Sequence, residues 1–474
     1  MTAQTILPAN SVTDTGYEIT NSCRFNPGDS PVMVKASSSS GNGYKGTFSL
    51  WVKRSNLGAQ QMIGQQDTGH ARVFFNGSNQ LRCYGNSAGE DNAFDLASTA
   101  LFRDVGAWYH IVFAWDNTQG TAANRNKVYV NGVQLTDFAT ETYNPQNTQI
   151  GGGFFVDSLN LTISGKNEDY FDGYMAEIVG IENTTYGPTD FGEFDEDSGI
   201  WKPIDGLEDL TFGPNGFYLD FEDSANLGND VNGGTDFTES NLAAIDQSTD
   251  TPTNNFATLN SIDTFYVDGT LSEGNCKYVG SAGNYDFVYS TIQVSQGKWY
   301  FEGTYKDGND DNGLIGITGK AMTDTANYLG KTATHEFSYI GSAGRTVTGG
   351  TFSTDGSYDA FTADDVIGVA MDLDNNKLYY SKNGTFQNSG DPTSGATGTG
   401  ALAITAAAST TNGSYAFAVS SFDSDDADEW EVNFGNPVAA LSSAATDGNG
   451  FGSFEYAPPS GYFALCTKNL AEYG

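Results

Sequence analysis

Basic residues are scarce in this chain. Its 474 residues include 21 Lys and Arg against 59 Asp and Glu, a net charge of −38. Such a surface repels nucleic-acid phosphates and anionic lipid headgroups, so neither nucleic acid nor a membrane surface is an expected partner. The basic patches with interleaved aromatics that mark nucleic-acid binders are absent. Cysteine is rare as well: Cys23, Cys83, Cys276 and Cys466 stand singly, without a C-x-x-C pair. That spacing argues against a disulfide framework and leaves reduced, packed thiols as the expectation. No apolar run approaches the roughly 20 residues of a membrane span. The N-terminus has no basic stretch followed by an apolar one, so neither membrane insertion nor a secretory signal is expected. The chain reads as made in a cytoplasm, from which lysis could release it. Helical periodicity over three turns or more is missing. So are H-E-x-x-H, a P-loop and a G-x-G-x-x-G after a strand, and His70, His110 and His335 fall into no Ser/His/Asp order.

Aromatic residues and glycine are abundant, with 31 Phe, 25 Tyr and 58 Gly against 12 Pro. Aromatic and β-branched runs punctuated by Gly, Asn, Asp and Ser describe an all-β chain. At this length two to three domains are expected. The clearest unit is the hairpin at 361–384, FTADDVIGVAMDLDNNKLYYSKNG. Ile367, Val369, Met371 and Leu373 face one way and Val366, Gly368, Ala370 and Asp372 the other, which is the period of a strand. Leu378 and Tyr380 share a face of the return strand, and Asn383-Gly384 is a tight-turn pair. In WYHIVFAWD (108–116) both faces are apolar, so this strand is expected to lie buried between layers.

Residues 1–15 are polar and extended, a candidate docking peptide. Strands with frequent turns fill residues 16–190. Residues 191–257, acidic and rich in turn formers, read as a surface connector, ordered because Trp201, Phe217, Tyr218, Phe221 and Phe237 anchor it. A second set of strands fills 258–436, and 437–474 read as a C-terminal extension.

Within the first set, FSLWVKR, WYHIVFAWD, KVYVNGVQL and YFDGYMAEIVGI, in that order, resemble a laminin-G-like or concanavalin-A-like jelly roll. In the second, KWYFE (298–302), DVIGV (365–369), DLD (372–374), LYYSKNG (378–384) and NFG (433–435) resemble a SPRY domain. The whole order, with FGEFDEDSGIWKP and TDTPTNNFATLN between the sandwiches and PPSGYFALCTKNL at the end, is similar to virion proteins of tailed bacteriophages, marine ones especially. The fold this implies is all-β: two concanavalin-A-like jelly-roll β-sandwiches in tandem, joined by an ordered acidic connector. The function it implies is non-enzymatic. It is a virion structural protein, made in the host cytoplasm, that acts in a tail fibre or similar adhesion device. It would act with other virion proteins and as a homo-oligomer such as a trimer, binding a host-surface glycan or protein. A capsid or tail decoration protein with a purely structural role is the alternative.

The resemblance places binding on second-domain loops near 306–312, 338–360 and 385–413, with Asp307, Asn309, Asp311, Tyr339 and Tyr358 as contact candidates. Calcium is the one cofactor to weigh. Asp307-x-Asn309-x-Asp311 begins like an EF-hand loop, but its glycine falls one place late, at Gly313, and Thr318 stands where the bidentate Glu belongs. Asp372-x-Asp374-x-Asn376 has Lys377 in the glycine position. Asp423, Asp425 and Asp426, with Asp428, form a third cluster. A glycosidase of the β-glucanase type is the remote enzymatic reading. Glu193-x-Asp195-x-Asp197, if extended, would put three carboxylates on one face, as paired carboxylate catalysis needs. The last member is one methylene short, and the segment is rich in turns.

Overall fold

The computed structural model describes residues 16–474 except 37–42, 66–70, 88–89, 149–153, 156–159, 166–168, 263–268, 282–284, 307–310, 322–326, 332–334, 355 and 423–426. The candidate docking peptide at 1–15 lies outside the described residues. The described chain divides into two compact units, residues 16–253 and 254–474. Among the described residues no helix is long and apolar enough to cross a membrane. All four cysteines are buried and none forms a disulfide.

The first unit holds two eight-stranded sheets. Lys45–Arg54 lies at the centre of one, antiparallel to Trp108–Asp116 on one side and Gly173–Glu182 on the other. Phe48, Leu50 and Val52 point into the space between the sheets and meet Ile111, Phe113, Trp115 and Met175. Each such enclosed side chain contributes about 1.5–3 kcal/mol. The opposite face of the same sheet is also apolar. Trp51, Trp108 and Tyr174 are covered there by Ile19 and Trp201, and Val112, Val179 and Ile181 by Phe191, Leu207 and Phe212. The strand 108–116 is therefore buried on both faces, as its composition requires.

The segment expected to be a connector is ordered, but it belongs to the first unit. Phe217–Leu219 pairs with Gly173–Glu182, Thr238–Ser240 with Val32–Lys35, and Gln247–Ser248 with Ser22–Phe25. Two buried ion pairs hold it. Lys35 Nζ lies 2.5 Å from Asp230. Lys53 Nζ lies 2.6 Å from Asp250, whose other carboxylate oxygen accepts the Trp108 indole N–H at 3.0 Å. The boundary near 257 thus moves to 253, because Asp250 is the partner that a buried Lys53 needs.

The second unit packs a nine-stranded sheet on a six-stranded one. Lys298–Tyr305 is antiparallel to Val366–Asp372, which pairs with Lys377–Lys382 in the register Met371↔Leu378 and Val369↔Tyr380. Ile367, Val369, Met371, Leu373, Leu378 and Tyr380 all enter the main core, so the alternation seen in the sequence is the alternation of the sheet. Asn383 and Gly384 take φ of 48° and 76°, the left-handed pair a tight hairpin turn demands. Residues 437–474 are no extension beyond the sandwich. Phe454, Tyr462, Ala464 and Cys466 cover Tyr300, Ala370 and Tyr379 on the outer face of the nine-stranded sheet. Phe463–Ala464 pairs in parallel with Lys298–Tyr305, and the helix Thr467–Tyr473 follows.

Asp250→Ala should destabilise the first unit by about 3–5 kcal/mol, because it leaves Lys53 buried without a counter-charge. The measure is the midpoint of urea unfolding followed by tryptophan fluorescence. The double variant Lys53→Met/Asp250→Leu should recover most of the loss. An unchanged midpoint for Asp250→Ala alone would show that the pair does not hold the segment in place.

Candidate functional site

An open groove of about 520 Å³ lies on the second unit, lined by Gln296, Gly297, Lys298, Asp374, Gly461, Phe463 and Tyr473. Its size falls in the range of sites for small ligands. Gly297, at φ 82°, turns the chain into the strand Lys298–Tyr305; a Cβ there would meet the Tyr473 carbonyl oxygen at 2.8 Å. Its N–H donates to one Asp374 carboxylate oxygen at 2.9 Å, and the Trp299 indole donates to the Gln296 carbonyl at 2.7 Å. The helix Thr467–Tyr473 lays the Tyr473 ring flat on Phe463, with centroids 3.9 Å apart and planes 8° apart. Lys298 Nζ is 2.9 Å from buried Asp372, so the one cation in the groove is already neutralised. Gln296 donates its amide to the Gly474 carbonyl. No described residue donates to its Oε1 or to the second Asp374 oxygen. The groove therefore offers a partly exposed aromatic pair beside two open acceptors.

The contact candidates read from the sequence do not meet here. Tyr339 lies in the strand Glu336–Ile340, fully buried, and its hydroxyl donates to the Asp359 carbonyl. Tyr358 is 9% exposed and packs against Tyr339 and Tyr380. Both are core residues, so the placement of Tyr339 and Tyr358 on ligand loops is corrected. The span 338–360 begins in sheet, with strands Glu336–Ile340, Arg345–Thr348 and Thr351–Phe352, before the chain leaves the sheet. Asp311 is half-buried at φ 54°. Asp307 and Asn309 lie outside the described residues, as do Asp423, Asp425 and Asp426. Asp428, beside that cluster, is buried. Its carboxylate accepts the Tyr305 and Ser421 hydroxyls, each at 2.7 Å, and the Phe422 N–H at 3.0 Å. Asp372 takes the Asn375 amides and Lys298. Among the described residues no three His, Cys, Asp or Glu side chains gather as a metal site would require.

The carboxylates considered for glycoside chemistry sit on a hairpin, Gly192–Phe194 with Trp201–Pro203. Asp195 caps its turn, accepting the Ser198 N–H and hydroxyl at 2.8 Å, and Lys202 bridges Glu193 and Asp195 at 3.4 and 3.3 Å. Asp197 falls within the turn, so the three carboxylates do not share the face of one strand. His110 touches Ser49, but in the wrong tautomer for a base. Its Nδ1 accepts the Trp201 indole N–H at 3.0 Å, so Nε2 carries the proton and donates to Ser49 Oγ at 2.8 Å. Burial lowers its pKa to about 3.

Two carboxyls depart most from ordinary behaviour, and each ties a covering segment to a sheet. Glu302 accepts the backbone N–H groups of Glu455 and Tyr456 and the Tyr300 hydroxyl. Burial outweighs these donors and pushes its pKa from 4.5 up to about 7. Glu177, at a β-bulge with φ 48°, accepts the Tyr218 hydroxyl at 2.5 Å and is pushed up to about 8, again mainly by burial.

Two family models match the chain. Residues 26–179 match the concanavalin A-like lectin/glucanases superfamily, and residues 298–420 match the SPRY domain. Both resemblances read from the sequence are thus found at the expected places, and both matches stop short of the covering segments. No curated protein matches the chain. Among solved structures, the SPRY domain of human HERC1 is 13% identical, covering 35% of this chain and 91% of that one, with a TM-score of 0.28. A candidate carbohydrate-binding protein from Bacteroides ovatus is 15% identical, covering 40% and 61%, with a TM-score of 0.25. The heptameric SAP-like pentraxin of Limulus polyphemus is 12% identical, covering 35% and 77%, at 0.24.

A carboxyl whose folded pKa is raised stabilises the fold below its unfolded value, and that stability is lost as pH rises through the folded value. Unfolding midpoints should therefore fall between about pH 4.5 and pH 8. The Glu302 part amounts to roughly 3 kcal/mol if the unfolded chain titrates normally. Glu302→Gln should flatten the profile between pH 5 and 7 while lowering stability at pH 5, where it loses an acceptor. A variant profile parallel to the wild type would remove Glu302 from the account.

Proposed function

We propose that this chain is a non-enzymatic binding protein of a tailed-bacteriophage virion. It would form part of a tail fibre or similar adhesion device and would contact a host-surface glycan through its second unit. The supporting observation is the groove, where the stacked Phe463 and Tyr473 stand beside the open acceptors of Gln296 and Asp374. Aromatic faces take the C–H side of a sugar ring, while amide and carboxylate oxygens accept its hydroxyls. The virion assignment rests on the order of motifs along the chain, and the binding role on the two kinds of domain. A shallow groove gives weak contact. Several copies on one particle, assembled with other virion proteins, would raise avidity by orders of magnitude without a new contact.

Titration of the full chain with oligosaccharides of the host envelope should give weak, saturable binding. Tyr473→Ala should weaken it about tenfold, the worth of one aromatic contact plus its buried area. The same mixtures should release no reducing ends, with or without Glu193→Gln. Absence of binding to any envelope glycan, together with hundreds of copies over the head in images of intact particles, would replace this reading by that of a decoration protein.

A further inference from the structure

One end of the first unit buries polar atoms that no described residue satisfies. Trp115 is the penultimate residue of the strand Trp108–Asp116 and the cross-strand partner of Asn126. Asn117 follows two residues later, its own amide donated to the Thr148 carbonyl and its carbonyl accepting the Asn147 N–H. Arg125, next to Asn126, joins this turn to the next by donating to the Gln119, Gly120 and Asn144 carbonyls. These links place Trp115, Asn117, Asn126 and Asn144 in one cluster of turns. The four are at most 2% exposed. Yet the Trp115 indole N–H, Asn117 Oδ1 and both side-chain polar atoms of Asn126 and Asn144 have no partner among the described residues.

Six orphaned polar groups at one end of a sandwich would cost about 1–3 kcal/mol each if left bare, too much for a stable fold. The kind of occupant follows from the balance of groups. Three are acceptors, the Asn117, Asn126 and Asn144 oxygens, and three are donors, the Trp115 indole and the Asn126 and Asn144 amides. A cation would satisfy the oxygens and strand the donors. An anion would do the reverse. No carboxylate joins the set: neighbouring Asp116 is already engaged by Thr118, Gln119 and Lys45. An occupant that donates and accepts equally is needed, and at this burial it must be small. We propose that this end of the first unit encloses an internal solvent site, in which ordered water molecules join Trp115, Asn117, Asn126 and Asn144 and fix the turns at 116–126 and 143–148.

The experiment is a crystal structure of the full chain combined with oxygen-17 relaxation dispersion in solution. Water density bridging the Asn side chains and the Trp115 indole is the expected result. The double variant Asn126→Leu/Asn144→Leu should lose about two of the long-lived waters, out of a total near one per 27 residues. Two results would overturn the proposal. One is density for a metal ion, or calcium stabilisation of the wild type that Asn117→Ala abolishes. The other is density showing the amides bonded to one another with no enclosed solvent. If the double variant fails to fold, the wild-type density and the calcium comparison with Asn117→Ala still decide.

Discussion

A sheet that is apolar on both faces must be covered twice, and this constraint shapes both units. In the first, Trp51, His110, Val112, Val179 and Ile181 point away from the main core, and in the second Tyr300, Ala370 and Tyr379 do. A two-layer sandwich would expose them to water. Residues 191–212 and 437–474 supply the third layer, while residues 217–248 add strands to the two sheets of the first unit, and the turn-rich composition of these segments follows from their position. One side of each segment contributes a few large anchors such as Trp201 and Tyr462, while the other side meets solvent.

The covers and the added strands are secured by polar contacts because they have too little regular structure to be held by a sheet alone. Lys53 reaches across 197 residues of sequence to Asp250, Lys35 meets Asp230, and Glu302 takes the backbone N–H groups of Glu455 and Tyr456. Each contact is strong in one direction only. Replacing a whole buried pair with apolar residues can be neutral, whereas removing one member leaves a charge or a donor stranded. Such contacts fix where a segment lies more than they add to stability. Glu302 is the extreme case, since its carboxylate is held where burial disfavours its charge.

The parts of this arrangement that were legible in the sequence are those with a local signal. Alternation at 366–373 displayed the hairpin, and the two apolar faces of WYHIVFAWD announced a strand between layers. Neither the covers nor the strands that residues 217–248 add to the sheets were legible. Phe217–Leu219 and Thr238–Ser240 are three-residue strands with no period to read, and their pairing depends on Asp230 and Asp250 meeting lysines about 200 residues away. Tyr339 could have been placed better, because Phe337 and Tyr339 alternate in EFSYI as strand residues do. The groove gave almost no warning. Its walls come from 296–298, 374, 461, 463 and 473, which only the fold brings together.

Charge narrows what such a groove can hold. Among the described residues four basic ones, Arg24, Lys35, Lys53 and Arg54, are buried. Twelve acidic residues are buried among the described residues as well, so the accessible surface is somewhat less acidic than the net charge of −38 but still strongly so. In the groove itself Lys298 is committed to Asp372, while Asp374 is exposed. A sulfated or carboxylated glycan would meet repulsion from the whole surface with no local cation to offset it. A neutral or amino sugar would not. The discrimination should weaken as salt rises, because the screening length shrinks from about 10 Å at 0.1 M to about 3 Å at 1 M. What persists in concentrated salt is the aromatic contact of Phe463 and Tyr473, which depends on shape and apolar area and not on charge.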